Sequence, residues 1–353
     1  MALKRPFVTA IRTAYAIEAL LVEVRDSDGR SGWGEAPTSW RVTGESVEGV
    51  SAALSGPLSA AVVGLSSSDP DAASVVVRGA VVRNSSARMA LECALFDLAA
   101  QSSSIPLFRY LGGHSSDVRT DMTLSAILGD GEIDAVCRTA SEFVVSGMNT
   151  LKIKVGAGGD DLALVTAVRR AVGEHVRLRL DANQGWSPEQ AVRTISSLED
   201  AGVDIELVEQ PVRADDIAGL AYVTGQVATP IMADESVWTK RELREVIRNR
   251  AADKVNVKIA KAGGLREAID MVHLAHEHEM EVIVGCMAES HVGIAAATAL
   301  ASASDAEYGG TAHDLDGGLL VAHSPVLGGV AYDGEWVRLS LNPGTGITGL
   351  ATE

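Results

Sequence analysis

Long apolar runs, paired cysteines and nucleotide-binding glycine loops are all missing from this chain of 353 residues. No stretch of about 18 consecutive apolar residues occurs, so no transmembrane helix is expected. The first residues, MALKRPFVTA, are too short and too polar for a signal peptide. We therefore expect a cytoplasmic protein without a membrane partner.

Cysteine and positive charge are also scarce. Cys93, Cys137 and Cys286 are far apart and show no C-x-x-C spacing, so reduced thiols are predicted rather than disulfides or a zinc site. Asp and Glu number 47 against 30 Lys and Arg, which gives a formal net charge of −17. Because nucleic acids and anionic membranes would be repelled, neither is expected as a partner.

What the sequence does contain is a repeated pattern from about residue 120 onward. A short apolar run ends in a polar residue, a helical stretch follows, and the ends of successive runs lie 24 to 28 residues apart. Eight runs fit this pattern: TDMTLSAI, TLKIKVG, VRLRLDAN, IELVEQP, IMADES, KVNVKI, EVIVGC and AEYGGTA. Eight successive strand and helix units predict an α/β fold with a closed (β/α)8-type barrel.

An open doubly wound sheet is the alternative to the barrel. It would require a phosphate-binding loop of the form G-x-G-x-x-G early in the sheet. GAGGDD after Lys154 fails this test, because Asp161 stands where the last glycine belongs. The barrel is therefore preferred.

The ends of the chain have a different character from the barrel segment, residues 116–320. Residues 1–115 contain an extended segment with a D-G turn, typical of a β-hairpin, and SSARMALECALFDLAAQ has helical spacing. The tail, residues 321–353, is again strand-like. We expect residues 1–115 and the tail to form one α+β capping domain.

Acidic residues end three successive predicted strands. Asp181 in LRLDANQGW, Glu209 in ELVEQP and Asp234 in MADES would meet at one rim, because active sites of such barrels lie at the C-terminal ends of the strands. Three carboxylates in one place repel each other and favour a divalent cation. Oxygen ligands select a hard ion, with Mg²⁺ as the default.

Lysines lie on both sides of these acids. Lys154 comes before them and Lys258 after them, so barrel closure would put the two amines on opposite faces of a planar carbon. A metal-bound carboxylate has an acidified α-proton, and a base on each face allows racemisation or epimerisation. Each base needs a pKa lowered by the cation and by burial. The alternative to a catalytic base is an exposed lysine that forms an ion pair at the surface, and this alternative suits Lys261 better than Lys258.

The series TLKIKVG, LRLDANQGW, ELVEQP, MADES and VNVKIAKAGG resembles the enolase superfamily, in its muconate-lactonizing subgroup, over essentially the whole chain. The resemblance implies Asp181, Glu209 and Asp234 as Mg²⁺ ligands and Lys154 and Lys258 as acid/base catalysts. It further implies that Lys152 helps to hold the substrate carboxylate. GWGEAP and PLFRYLGG are similar to the superfamily's capping domain.

Specificity is indicated by GGTAHDLDGGLL, in which Asp314 and Asp316 follow the eighth predicted strand. A D-x-D sequence there resembles dipeptide epimerases, in which the pair binds the substrate's ammonium group. Two carboxylates also suit a cation rather than an anionic muconate. Arg12 matches an arginine that pairs with the glutamate side chain in Ala-Glu epimerases, and a guanidinium suits a carboxylate. Further pocket-lining residues expected from their positions are Thr123, Cys286 and Ala288.

The expected function is therefore that of a Mg²⁺-dependent epimerase acting on an Ala-Glu or related Xaa-Glu dipeptide, with self-association into a homo-oligomer left open. The alternatives are an N-acylamino acid racemase, a cycloisomerase or syn-lyase of the same superfamily, and a non-catalytic metal-binding barrel. His273, His276 and His278 look like metal ligands, but a solvated helix end is the preferred interpretation.

Overall fold

The computed structural model of the chain describes residues 1–9, 13–127 and 132–351. In these residues the predicted architecture is confirmed: a capping unit of strands and helices precedes a curled parallel sheet that has helices on its outer side. The three cysteines carry free thiols, as predicted. Among the described helices, none is long and apolar enough to cross a membrane.

The capping unit consists of two antiparallel strand pairs followed by helices. Its elements are β1 (Ala2–Val8), β2 (Thr13–Ala16), β3 (Ala19–Arg25), β4 (Ser31–Pro37), α1 (Val47–Ala53), α2 (Ser59–Val62), α3 (Pro70–Ala80), α4 (Ser85–Ser102) and α5 (Leu107–Tyr110). A π-helical turn, Leu54–Leu58, joins α1 to α2. The predicted D-G turn connects β3 to β4, with Gly29 at a φ of 83°.

Helix α4 lies between the β3–β4 hairpin and the barrel, and nearly all of its residues are buried. The hairpin and the helix touch through their backbones. A Cβ on Gly32 would lie 2.1 Å from Ala94 O, and one on Gly34 would lie 1.9 Å from Ala90 O. The two glycines of GWGEAP are therefore required because a side chain would separate strand from helix.

Seven parallel strands form the barrel sheet in sequence order, β6 to β12. Between α5 and the tail the elements are β5 (Asp117–Arg119), β6 (Met122–Leu124), α6 (Ile133–Val145), β7 (Thr150–Lys154), α7 (Asp161–Val172), β8 (Arg177–Asp181), α8 (Pro188–Asp200), β9 (Ile205–Glu209), α9 (Ile217–Thr224), β10 (Ile231–Ala233), α10 (Lys240–Asn249), β11 (Lys254–Lys258), α11 (Ile259–Ala262), α12 (Leu265–Glu277), β12 (Glu281–Gly285), α13 (His291–Tyr308) and α14 (Gly317–Leu320).

The eighth predicted run, AEYGGTA, is not a strand. Its first residues belong to the end of α13, because the alanine-rich sequence before them favours helix as far as Tyr308. The barrel is closed by two isolated parallel bridges, Thr120 with His313 and Gly285 with Asp314. Two residues of extended chain thus take the place of the eighth strand.

The tail forms four strands, β13 (Val326–Gly328), β14 (Val330–Asp333), β15 (Trp336–Leu339) and β16 (Ile347–Leu350). β13 pairs with β16, and Val326 and Ile347 pack with Trp33 of the capping unit. β15 pairs with β5 beside the barrel. The tail therefore touches both units, while the domain limits after residues 115 and 320 stay a prediction.

Buried carboxylates join the capping unit to the rest of the chain. Glu35 of β4 is fully buried and accepts hydrogen bonds from Ser290 N (2.9 Å), Ser290 Oγ (2.6 Å) and Gly293 N (2.9 Å), at the start of α13. Asp97 of α4 accepts from Trp33 N and from Thr345 N of the tail. Burial raises the pKa of both carboxyl groups. The hydrogen bonds to these carboxylates offset part of the free-energy cost of removing them from water.

Replacing Glu35 by alanine is expected to lower the free energy of unfolding by roughly 3 kcal/mol, because buried donors of Ser290 and Gly293 lose their acceptor. Urea denaturation followed by circular dichroism measures this loss. Glu18→Ala, an exposed change in the same unit, is the matched control and should stay within about 0.5 kcal/mol of the parent. Equal effects in the two variants would contradict the role given to Glu35.

Candidate active site

Polar side chains gather at the C-terminal ends of the barrel strands, where a cavity of about 110 Å³ lies between the barrel and the capping unit. The parallel register aligns Lys154 with Asp181 and Asp181 with Glu209. On the other side of the barrel it aligns Lys258 with Gly285, which is bridged to Asp314. Catalytic candidates from five strand positions therefore lie in one ring.

The three acids predicted as metal ligands are all buried and adjacent. Asp181 ends β8, Glu209 ends β9, and Asp234 follows β10 directly. Burial, together with the charges of Asp181 and Asp234, raises the pKa of Glu209 to about 7. Glu209 Oε2 has no hydrogen-bond partner in the described part of the chain and lies 3.5 Å from Lys152 Nζ.

Each of these carboxylates faces a cationic side chain rather than a common centre. Asp181 pairs with Lys154, and Asp234 pairs with Lys258 at 2.8 Å and with Lys261 at 2.6 Å. Accordingly, no group of three His, Cys, Asp or Glu side chains in the described ranges is already arranged around a metal position. The donor set still fits a hard cation, because it consists of oxygens on adjacent strands and includes Glu209 Oε2, which accepts no hydrogen bond in the described part of the chain.

In strand order, Lys154 at the end of β7 precedes the acids of β8 to β10, and Lys258 at the end of β11 follows them. The Nζ of Lys154 is 5.9 Å from the ring centre of Phe7, a residue of the capping unit. Burial lowers the pKa of Lys258, but Asp234 and Glu209 outweigh it and raise the pKa well above its usual value. The protein's own groups thus favour the charged lysine, and a neutral base would require further positive charge beside these carboxylates.

The interpretation of Lys261 as an exposed surface lysine is wrong. Its side chain is 1% exposed, and its Nζ donates to Asp234 Oδ1 (2.6 Å), to Asp234 O and to Asn256 O (3.0 Å). The residue lies in α11, the short helix that follows β11 directly. Lys261 therefore holds both the backbone carbonyl and the carboxylate of Asp234.

Lys152 and Asn256 connect the acids at the bottom of the cavity with the D-x-D sequence. Lys152 Nζ lies 2.6 Å from Asp314 Oδ1, and Asn256 Nδ2 donates to Glu209 Oε1 (2.7 Å) and to Asp314 Oδ2 (3.2 Å). Burial would raise the pKa of Asp314, but Lys152 and Lys258 lower it to about 2. Asp314 is therefore a carboxylate that is already balanced by lysine.

Asp316 has fewer partners than Asp314. Its Oδ2 accepts a hydrogen bond from Thr123 N at 2.8 Å, and the side chain is 4% exposed. Burial and the charge of Asp314 raise the pKa of Asp316. Asp316 is therefore less compensated by its surroundings than Asp314 is.

The remaining predicted site residues differ in how far they can be located. Thr123, Cys286 and Ala288 all line the cavity together with Phe7. Arg12 lies outside the described residues, so its predicted role stays a prediction. The three histidines of HLAHEHE belong to α12 and its end. The ring of His276 stacks on that of Tyr308, with 3.4 Å between the ring centres.

His313, which sequence reasoning left unassigned, has a structural position. It is fully buried, its Nδ1 accepts from Val284 N at 2.9 Å, and its Nε2 lies 3.0 Å from Asp305 Oδ1. Its ring nitrogens therefore contact strand β12 on one side and helix α13 on the other.

Sequence reasoning missed Asn183, Glu235 and Asn256. Asn183 Nδ2 donates to Glu235 Oε1 at 3.2 Å, and burial with the charges of neighbouring acids raises the pKa of Glu235 to about 8. Asn183, Gln184 and Gln210 have positive φ angles of 41°, 68° and 37° directly after β8 and β9. Strained backbone of this kind is typical of functional sites. Asn256 could have been found, because it lies two residues before Lys258 on one strand face.

Comparison with known proteins covers nearly the whole chain. Residues 1–112 match the mandelate racemase / muconate lactonizing enzyme N-terminal domain, and residues 135–350 match the enolase C-terminal domain-like family. An L-Ala-D/L-Glu epimerase of Bacillus subtilis is 40% identical over 351 residues, 99% of this chain and 94% of that protein.

Solved structures agree with these matches. A substrate-liganded complex of the L-Ala-D/L-Glu epimerase from Bacillus subtilis has a TM-score of 0.94 at 40% identity and covers 99% of this chain and 96% of that chain. A dipeptide epimerase from Enterococcus faecalis, complexed with Mg and L-Leu-L-Tyr, has a TM-score of 0.90 at 36% identity. The match covers 99% of this chain and 96% of that chain. The chain therefore belongs to the enolase superfamily, in its mandelate racemase and muconate lactonizing enzyme family, and it is an isomerase.

Proposed function

We propose that the chain is a Mg²⁺-dependent dipeptide epimerase that inverts the α-carbon of the C-terminal residue by two-base proton transfer, with L-Ala-D/L-Glu or a related Xaa-Glu peptide as substrate. The observation that carries this proposal is that Lys154 and Lys258 come one strand before and one strand after three buried acids and line one cavity together with Asp316. The epimerases among its relatives support it.

Asp181, Glu209 and Asp234 would hold the cation. When bound, Mg²⁺ withdraws electron density from the substrate carboxylate and so acidifies the adjacent α-proton. Asp234, which now pairs with Lys258, would then share its charge with the cation and would hold the proton of Lys258 less tightly.

The protein's own residues then perform the proton transfer. One lysine removes the α-proton from its face, and the other donates a proton to the opposite face, so the configuration inverts. Asp316 binds the substrate ammonium, while Asp314 is held by Lys152 and Asn256. Phe7 of the capping unit covers the Lys154 side and keeps water from the cavity.

Chelation should abolish turnover, and Mg²⁺ should restore it. Glu209→Gln is expected to weaken Mg²⁺ binding at least about tenfold, because one anionic donor is lost from a hard-cation site. Isothermal titration with MgCl₂ measures the affinity independently of turnover. Glu281→Gln, which changes an exposed carboxylate at the opposite end of the barrel, is the control. Unchanged Mg²⁺ affinity in Glu209→Gln would contradict this ligand assignment.

The lysine pair should show a stereochemical split. Lys154→Ala is expected to lose net epimerisation but to retain solvent exchange of the α-proton on the Lys258 face, for one substrate epimer alone. Lys258→Ala should show the opposite preference. Proton NMR of each epimer in D₂O measures both rates.

Lys254→Ala is the matched control for the lysine pair, because Lys254 begins the same strand that Lys258 ends and pairs with Glu281 at the surface. It should behave as the parent enzyme. Equal exchange from both epimers in either active-site variant would refute the two-base assignment.

Asp316→Asn tests the ammonium site. The amide oxygen can still accept from Thr123 N, so the change removes charge with little change of structure. For a free-amine dipeptide kcat/KM should fall about 30-fold, roughly 2 kcal/mol of transition-state stabilisation, because a charge-assisted contact is lost. An N-acetylated dipeptide should lose far less, and equal losses would mean that Asp316 only shapes the turn.

A further inference from the structure

Glu209 has a different kind of partner from the other two acids at the strand ends. Asp181 and Asp234 each lie against at least one lysine amine. Glu209 instead accepts its short hydrogen bond from the neutral amide of Asn256, with 2.7 Å between Asn256 Nδ2 and Glu209 Oε1. Two lysine amines lie farther away, at 3.5 Å and 4.0 Å from the Glu209 oxygens. A neutral donor orients this carboxylate but leaves its negative charge uncancelled.

The amide of Asn256 is held tightly in the barrel interior. The residue is fully buried on β11, and its Nδ2 also donates to Asp314 Oδ2 at 3.2 Å. Its Oδ1 accepts no hydrogen bond in the described ranges. Because an unsatisfied buried oxygen is costly, the amide is oriented for its two donor contacts. A Cβ on Gly285 of the adjacent strand β12 would lie 2.2 Å from Asn256 Oδ1, so glycine at this position leaves room for the amide.

Lys152 competes with a metal ion for Glu209. Its Nζ lies 2.6 Å from Asp314 Oδ1 and 3.5 Å from Glu209 Oε2, the oxygen that has no hydrogen-bond partner among the residues described. Without the Asn256 amide, Glu209 would lose its short hydrogen bond, and a small movement of Lys152 onto Oε2 would replace it. The lysine would then occupy the oxygen and cancel the charge that a divalent cation requires.

We propose that Asn256 is a positioning residue for the cation site. Its amide holds Glu209 through Oε1 and holds Asp314 against Lys152, so that Glu209 Oε2 stays available to a divalent cation. This inference rests on the part of the proposed function that makes Glu209 a Mg²⁺ ligand. The position requires a side chain that donates to two carboxylates without carrying charge, which asparagine provides and lysine does not.

Isothermal titration with MgCl₂, without substrate, tests this role. Asn256→Leu keeps the approximate size of the side chain and removes both donor contacts, so Mg²⁺ affinity should fall at least about tenfold. Asn249→Leu makes the same change at the exposed end of α10 and should bind Mg²⁺ as the parent does. Unchanged or tighter binding in a folded Asn256→Leu variant would overturn the proposal.

A double-mutant cycle with Lys152→Met separates positioning from a general loss of structure. Lys152→Met should raise Mg²⁺ affinity at least about tenfold more in the Asn256→Leu background than in the parent, because the lysine moves onto Glu209 only when the amide is gone. Damage to the fold would not be repaired by removing a buried lysine. An equal gain in both backgrounds would refute the role given to Asn256.

Gly285→Ala provides a second variant if Asn256→Leu does not fold. Its Cβ displaces the amide without altering it, so Mg²⁺ affinity should again fall at least about tenfold, and unchanged affinity would count against the proposal. Gly79→Ala, where a Cβ meets no atom within 4 Å, is the matched control.

Exchange of a dipeptide α-proton in D₂O is recorded on the same samples to keep the two proposals apart. A parent enzyme that binds Mg²⁺ but exchanges no dipeptide would overturn the epimerase activity, and the affinities would still decide the role of Asn256. A parent enzyme that binds no Mg²⁺ would overturn both.

Discussion

Charge that is buried in the mouth of the barrel has to be balanced there, and this constraint determines how the ionisable side chains of the site are arranged. The buried carboxylates there include those of Asp181, Glu209, Asp234, Glu235, Asp314 and Asp316. Four lysines face them, Lys152, Lys154, Lys258 and Lys261, and all four are buried. Since an isolated buried charge is costly, each lysine is held against an acid. The arrangement proposed for catalysis is thus also one in which the buried charges are paired.

The lysines do not compensate all of these carboxylates equally, and the difference bears on where a cation would bind. Asp234 has two lysines, and they drive its pKa downward against the effect of burial. Glu209 has an amide and a more distant lysine, and its pKa is raised to about 7. Glu209 is therefore less well compensated by the protein than Asp234 is, and an added cation beside it would neutralise its charge.

Much of this site could be predicted from the sequence because parallel strands impose their order on it. A polar residue at the end of each apolar run is carried to the same edge of the sheet, which was sufficient to bring Lys154, Asp181, Glu209, Asp234 and Lys258 together. Lys261 could not be placed in this way. It lies in a short helix after the strand, where side-chain direction depends on how the turn folds back beneath Asp234.

The capping contacts were predictable only in part. GWGEAP suggested the cap, but the need for both glycines follows from the approach of α4 within 2.1 Å of a hypothetical Cβ. The partner of Glu35 at the start of α13 is 255 residues away in sequence. No local pattern marks such a contact, since it arises when the closed barrel presents the helix N-terminus to the cap.

The missing eighth strand is the deviation with the largest consequence. A regular strand would pair its backbone with β6 and give Thr123 N a carbonyl acceptor. Because only His313 and Asp314 form bridges, Thr123 N is instead satisfied by the carboxylate of Asp316, whose negative charge is thereby fixed beside the cavity. The departure from the barrel pattern thus explains why the two aspartates differ. Asp314 continues the sheet through its backbone and pairs with Lys152, whereas the side chain of Asp316 takes the place of a backbone acceptor on β6.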